Sequence, residues 1–236
     1  MAERPLRKAE RRQPRRGLRR IVGLILLLPL IGLALIVVLA LVYSAVTPPS
    51  TLMLGRWLTL QPVNRESAAL DAISPFLVQA VIASEDQRYC GHNGVDWDAL
   101  RDVVDDEEGP SRGASTIPMQ TVKNVFLWPG RSFVRKALEI PLAVAADAVW
   151  GKRRTMEIYL NVAEWGEGVF GAEAAARHWF GKPARDLSRG EAALLAAVLP
   201  NPIVRSAGKP SRGVKALAGR IQTRMGGVSG LMGCMR

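Results

Sequence analysis

Two acids, Glu85 and Asp86, close an apolar run and are followed within ten residues by Gly91, His92, Gly94 and Asp96. The run before them predicts a helix from Pro75 to Ala83, with Ser74 placed to cap it and Pro75 at the first helical position. A carboxylate at the mouth of a buried helix is partly desolvated, which raises its pKa and suits it to proton transfer. The glycines allow a sharp turn, so His92 and Asp96 are expected to fold back toward Glu85. Taken alone, the stretch reads equally well as a helix end followed by a polar turn.

Two further segments carry chemistry. In Arg112-Gly-Ala-Ser-Thr-Ile-Pro-Met-Gln-Thr-Val-Lys-Asn124 a glycine loop leads into a helix whose free amides favour an anion. Ser115 or Thr116 is the expected cap, and the helix should run to about Phe126. Gln120, Lys123 and Asn124 share one face at i, i+3 and i+4, which is also how a solvated helix face reads. In Arg131-Ser-Phe-Val-Arg-Lys-Ala-Leu-Glu139, Arg135 and Glu139 are i, i+4 neighbours. As a surface pair they would contribute only a few tenths of a kcal/mol, roughly 0.2–0.5.

The elements that must position these groups are mostly helical. The chain has 236 residues and a formal charge of +11. The first 20 residues hold nine basic and two acidic groups, so the rest carries only +4. That distribution argues against a nucleic-acid surface. Residues 21–46 contain no charge and reach roughly 39 Å as a helix, enough to cross a hydrocarbon core of about 30 Å. The run is too long for the apolar region of a cleaved signal peptide, so it is expected to be an anchor. Its basic flank, residues 1–20, stays in the cytoplasm, and everything after Val46 faces outward. Residues 47–65 begin with Thr47-Pro-Pro-Ser50 and read as a stiff stalk. Helices are expected from Trp97 to Val104 behind an Asp96 cap, from Ser132 to Trp150 with a bend at Pro141, and at Thr155–Val162 and Ala172–Phe180. The capping box Ser188-Arg-Gly-Glu191 opens one more, ended by Pro200. Residues 105–113 read as a mobile loop. No segment alternates convincingly enough to be a strand. The fold class is mainly α, with one globular domain large enough to bury its own core.

Two distant cysteines, Cys90 and Cys234, do not amount to a disulfide framework. Two histidines are too few for a His-rich metal site. No repeat, glycine-rich phosphate loop or Cys-x-x-Cys pair is visible.

The ordered set of segments resembles the peptidoglycan glycosyltransferases, in particular the monofunctional biosynthetic enzymes of Gram-negative bacteria. The resemblance covers about Ala80 to Pro202. It rests on Glu85-Asp86-Gln87 with His92-Asn93-Gly94-Val95-Asp96, on Gly113-Ala-Ser-Thr-Ile117 with Gln120, Lys123 and Asn124, and on Arg135-Lys136 with Glu139. Lys152-Arg-Arg-Thr-Met-Glu-Ile-Tyr-Leu-Asn161, Gly166-Glu-Gly168, Phe170-Gly171, Ala174-Ala-Ala176, Phe180-Gly-Lys182 and residues 192–202 extend it.

What the resemblance implies is specific. The domain, residues 66–205, would be a two-lobed helical fold, one lobe lysozyme-like, with its cleft facing the membrane. A C-terminal tail, residues 206–236, carries no legible motif. The substrates would be lipid II and the growing glycan strand, held at the bacterial inner membrane with the catalytic domain periplasmic. The growing glycan would pass from its undecaprenyl pyrophosphate to the 4-hydroxyl of lipid II with inversion, a step of cell wall biogenesis and cell shape. Glu85 would be the general base and Glu139 the second carboxylate, near the donor pyrophosphate or a divalent cation such as magnesium or manganese. Lys123 and Arg131 occupy the pyrophosphate-contact positions. Gln120 and Asn124 would position substrate, and Ser115 and Thr116 would order the helix start facing the sugar-phosphate. Val125-Phe-Leu-Trp-Pro-Gly130 either dips into the headgroups through Trp128 or is ordinary core. Crosslinking is expected to fall to another protein, and partners among other cell-wall proteins are expected; nucleic acid is not.

The chain departs from the family pattern at Pro118 and Met119, at Cys90-Gly91, and at Pro141, close behind Glu139. Two alternatives follow. A lytic glycan-cleaving enzyme with Glu85 as acid would leave Lys123 and Arg131 idle, because hydrolysis has no pyrophosphate to stabilise. An inactive membrane scaffold for wall synthesis is the other, kept open by Pro118 and Met119.

Overall fold

The computed structural model describes residues 15–105, 114–130, 132–228, 230 and 232–235; the side chains of residues 15–26, 104 and 105 lie outside that description. Most of the basic tail, the expected loop after Asp105 and the candidate Arg131 therefore lie outside the described residues. The chain divides into two units, residues 1–39 and 40–236. Helix α1, Arg15–Tyr43, contains Pro29 and exposes Leu28, Leu30, Leu33, Leu35 and Leu41. Among the described residues, no helix is long and apolar enough to cross a membrane.

The second unit is mainly helical. Its elements are α2 (Thr51–Leu58), β1 (Asn64–Arg65), α3 (Pro75–Glu85), α4 (Trp97–Asp105), α5 (Ile117–Phe126), α6 (Phe133–Val162), β2 (Glu164–Gly166), β3 (Val169–Phe170), α7 (Ala172–Phe180), α8 (Arg189–Val198) and α9 (Arg212–Val228). Two apolar cores organise them. One gathers α3, α7, α8 and α9 around Leu77, Val81, Tyr159, Trp165, Leu195 and Ile221. The other packs α5 on α6 through Met119, Val122, Ala143, Ala146, Trp150 and Ile158. Helix α3 is buried on nearly every side, packed against α8 and α9, so its last turn is a fixed platform for whatever follows.

The helix boundaries follow local chemistry closely. Thr116 caps α5, and Ser188 with Glu191 forms the expected capping box of α8. Asp96 accepts from Ala99 N at 3.2 Å, as its cap position predicts. Ser74 sits at the cap of α3 but sends its hydroxyl to Leu187 O instead (2.9 Å). The helical backbone of α6 runs unbroken past Pro141; it departs from helical geometry at Gly151, where φ is 65°. A left-handed residue interrupts a helix more completely than a lost hydrogen bond, so the break lies between the two segments read from sequence.

Three features differ from the sequence expectation. A small sheet in the order β1-β3-β2 exists, with strands too short to display alternation. Residues 47–65 do not form a free stalk: Arg65 donates to Thr47 O and Pro48 O, and α2 lies within them. The segment expected as a tail supplies α9, buried through Val214, Ala218, Ile221, Met225 and Val228, a 3.5-residue period diluted by four glycines.

Cys90 and Cys234 form a disulfide across 144 residues, with Cα atoms 5.6 Å apart. Sequence distance suggested no pairing, but α9 turns the chain back so that the short helical turns Tyr89–Gly91 and Gly233–Met235 meet. On the chain-entropy account such a bridge stabilises by roughly 5 kcal/mol. In Val125–Gly130 the core reading holds for Val125 and Leu127, which are buried, and for Phe126, which stacks between Tyr43 and Trp150, whereas Trp128 is exposed.

Gly94 has φ of 85°, and a Cβ there would lie 2.5 Å from Ala143 O. Gly94→Ala is expected to destabilise the domain by about 3 kcal/mol, read as a lowered midpoint in chemical denaturation.

Candidate active site

Glu85 is the last residue of α3, where the rigid helix ends and the chain turns out. Its Oε2 accepts from Gln120 Nε2 of α5 at 3.0 Å, and Gln120 Oε1 accepts in turn from Tyr159 Oη of α6 at 3.3 Å. Burial pushes the Glu85 carboxyl above its ordinary value; the hydrogen bonds from Gln120 and Ser84 and the charge of Lys123 pull the other way, and Asp86 adds to the rise. Burial also pushes the Tyr159 phenol well up, so it stays protonated and donates. Glu85 is therefore oriented, partly desolvated and poised to take a proton.

Asp86 does different work. Its carboxylate, almost fully buried, accepts from His92 Nε2 (3.0 and 3.1 Å) and from the backbone amide of Ile117 (2.9 Å). His92 folds back onto Asp86 and not onto Glu85, because Asp86 lies beside the turn and its buried oxygens need donors. Asp96 turns away as well, into the cap of α4 and to Arg88 at 3.2 Å.

The start of α5 is closed to an incoming anion. Asp86 takes the amide of Ile117, Pro118 has none, and Thr116 Oγ1 takes the amide of Met119 at 3.3 Å. The anion favoured by this helix terminus is the protein's own. Thr116 also donates to Gly94 O at 2.6 Å, so its buried hydroxyl serves the fold. Pro118 falls where a missing amide costs nothing, and Met119 is buried core.

Lys123 lies within electrostatic reach of Glu85, and two further cations, Arg135 and Lys136, surround Glu139. Lys123 lies one turn beyond Gln120 on α5. Burial lowers its pKa; Glu139 resists that, Arg135 and Lys136 add to it, and Glu85 resists, so all four charges lie within electrostatic reach. Glu139 is buried and pairs with Arg135 through one oxygen and with Lys136 through the other, at 3.1 Å. The Arg135–Glu139 pair is thus an interior contact and not the surface pair its spacing suggested. Lys136 Nζ also donates to Ser115 Oγ at 2.7 Å, a tie that sequence reading missed although Lys136 adjoins Arg135. Among the described residues no three acidic, His or Cys side chains gather into a metal cluster, and both oxygens of Glu139 are taken. Asn124 contributes a visible contact only through its carbonyl, which accepts from Thr51.

A cavity of about 810 Å³ opens beside Glu85, lined also by Asp86, Asp96, Asp102, Ser115, Thr116 and Arg224. Arg224 belongs to α9, in the segment where no motif was legible. The structure thus places Glu85, Ser115 and Thr116 on one cavity, joins Gln120 to Glu85, and sets Lys123 within electrostatic reach of both Glu85 and Glu139. It can hold a sugar hydroxyl against a base while a negative charge develops among lysine and arginine side chains.

A family model described as Transglycosylase matches residues 53–226. A biosynthetic peptidoglycan transglycosylase of Rhizobium meliloti (strain 1021) is 55% identical over 228 residues, covering 95% of this chain and 94% of the relative. One of Agrobacterium fabrum (strain C58 / ATCC 33970) is 54% identical over 219 residues, covering 92% and 96%. Another, of Rhodopseudomonas palustris (strain HaA2), is 53% identical over 205 residues, covering 85% and 90%. With a family model matching over residues 53–226 and relatives this similar along nearly their full length, the chain belongs to the transglycosylase family.

Proposed function

We propose that this protein polymerises peptidoglycan glycan chains, passing the growing strand from its undecaprenyl pyrophosphate to the 4-hydroxyl of lipid II with inversion. The observation that carries the reading is the placement of a raised-pKa carboxylate, Glu85, within reach of Lys123, which in turn feels Arg135, Lys136 and Glu139.

In this reading Glu85 takes the proton of the acceptor hydroxyl as its oxygen attacks the anomeric carbon of the donor. The bond from that carbon to the pyrophosphate breaks, and the leaving group departs with growing negative charge. Arg135 and Lys136 are held by Glu139 before the reaction, and together with Lys123 they act most strongly on charge that exists only in the transition state. Arg131 joins them by its family position. Glu139 holds Arg135 and Lys136 in place by occupying both of their partners' sites. Gln120 acts through Glu85: it fixes the carboxylate and favours its ionised form.

A glycan-cleaving enzyme would have no use for Lys123 within electrostatic reach of its acid and two further cations around Glu139. The scaffold alternative rested on Pro118 and Met119, and both fit the start of α5 without loss.

The charge-free run 21–46 and its basic flank support a single-pass anchor with the catalytic domain on the periplasmic side of the inner membrane. Both substrates carry lipid tails, so an enzyme held at the bilayer searches a surface. Exposed Trp128, Phe133 and Val134, and Trp57, Leu58 and Leu60 after the anchor, suit contact with headgroups.

Purified protein incubated with lipid II should yield lengthening glycan; shortened glycan without polymer would overturn the reading. Glu85→Gln is expected to lower turnover by about 10²–10⁴-fold with the melting temperature unchanged. Lys123→Ala should lower kcat by roughly 10²-fold, the scale for removing one group that stabilises the transition state. Turnover should fall at acid pH with a midpoint above the ordinary glutamate value, because Glu85 must be ionised. Gln120→Ala removes a bond that favours the ionised form, so that midpoint should move to higher pH in the rate profile.

A further inference from the structure

We propose that the Cys90–Cys234 bridge is a positioning element of the turn that follows Glu85, closed by a disulfide-bearing oxidant once the domain has left the reducing cytoplasm. The inference rests on the outward-facing polymerase described above.

Cys90 lies in the middle of the helical turn Tyr89–Gly91, four residues after Asp86 and two before His92. That turn also has contacts of its own: Tyr89 Oη donates to Lys152 O at 2.7 Å, and its buried ring lies edge-on to His92 and under Lys152 Nζ. Tyr89 N and Gly91 N donate to Asp86 O and Arg88 O, but none of these contacts reaches the C-terminal segment. The disulfide ties it to Gly233–Met235, a segment anchored independently. Met235 is buried, its carbonyl accepts from Arg153 Nη1 at 3.1 Å, and Arg153 pairs with Asp71 at 2.6 Å. The bridge therefore fastens the turn to a fixed point on the domain.

From Cys90 the constraint continues along hydrogen bonds already described. His92 donates to Asp86, Asp86 accepts from Ile117 N, and Ile117 begins the helix whose Gln120 holds Glu85. With Cys90 released, His92 loses its fixed approach to Asp86, and the start of α5 loses part of its support. Glu85 would then sample orientations away from the acceptor. A positioning loss of this kind lowers turnover more than binding.

The chemistry balances by thiol–disulfide exchange. The Cys90 and Cys234 thiols give up two protons and two electrons, and the oxidant's disulfide takes them up to become two thiols. These are the only cysteines in the chain, so no wrong pairing within it competes.

The test uses the full-length protein in detergent, isolated under alkylating conditions. Oxidised protein should show no alkylated cysteine, and reduction with dithiothreitol should expose two. At a temperature at least 15 °C below the melting point of the reduced form, reduction should lower kcat about fivefold or more with KM for lipid II within twofold. Hydrogen exchange of the peptide 86–96 should rise about tenfold, and Cys234→Ser should match the reduced protein and ignore dithiothreitol. Unchanged kcat with a lowered melting temperature would reduce the bridge to a stabilising crosslink and overturn the proposal. So would unchanged exchange in 86–96, or free thiols in the isolated protein. If oxidised protein fails to lengthen glycan, the polymerase reading fails, whereas exchange and alkylation still decide the effect of the bridge on the turn. Exchange measured at 5 °C covers variants that unfold at the assay temperature.

Discussion

A carboxylate buried as deeply as that of Asp86 is costly unless its oxygens find donors, and here the ring of His92 and the amide of Ile117 supply them. The consequence reaches well past one residue. The same contact ends helix α3, folds the His92–Asp96 turn against the domain and fixes where α5 begins. Glu85 and Gln120 sit one residue before and three residues after the two ends of that contact. Their hydrogen bond is a product of the Asp86 joint, and the reactive carboxylate inherits its orientation from its structural neighbour.

The second constraint is electrostatic. Three cations crowded near one another repel, and burial disfavours the charge on Lys123. Glu139 offsets this by taking Arg135 and Lys136 with its two oxygens. The cluster is then tolerable in the resting protein while keeping a positive balance. A buried pair of this kind is weak evidence for stability but a plausible source of preorganisation, since the groups need not move when charge develops.

The two apolar cores divide the labour. The core around α3, α8 and α9 makes the platform that ends at Glu85, and the core between α5 and α6 carries the cations. Residues of the late sequence motifs serve as struts between elements. Asn161 exchanges two hydrogen bonds with the backbone of Ala68, and Glu157 accepts from Leu70 N. Gly171, with φ of 91°, leaves room for Glu66 O.

Local chemistry in the sequence determined much: the helices with strong apolar runs and caps, the capping box at Ser188, and a cap at Ser115 or Thr116 for α5. Each of these depends on neighbours within about four residues or on a motif spelled out in order, so it can be read along the chain. Tertiary structure alone decided that Asp86, not a substrate, holds the amide of Ile117, that Gln120 is committed to Glu85, and that Arg135–Glu139 is interior. It also decided that Cys90 meets Cys234 and that α9 completes a core. Those facts depend on donors and acceptors brought together from distant segments, and on burial. Neither is fixed by spacing, because whether a side chain meets water or a partner is settled only when the helices pack.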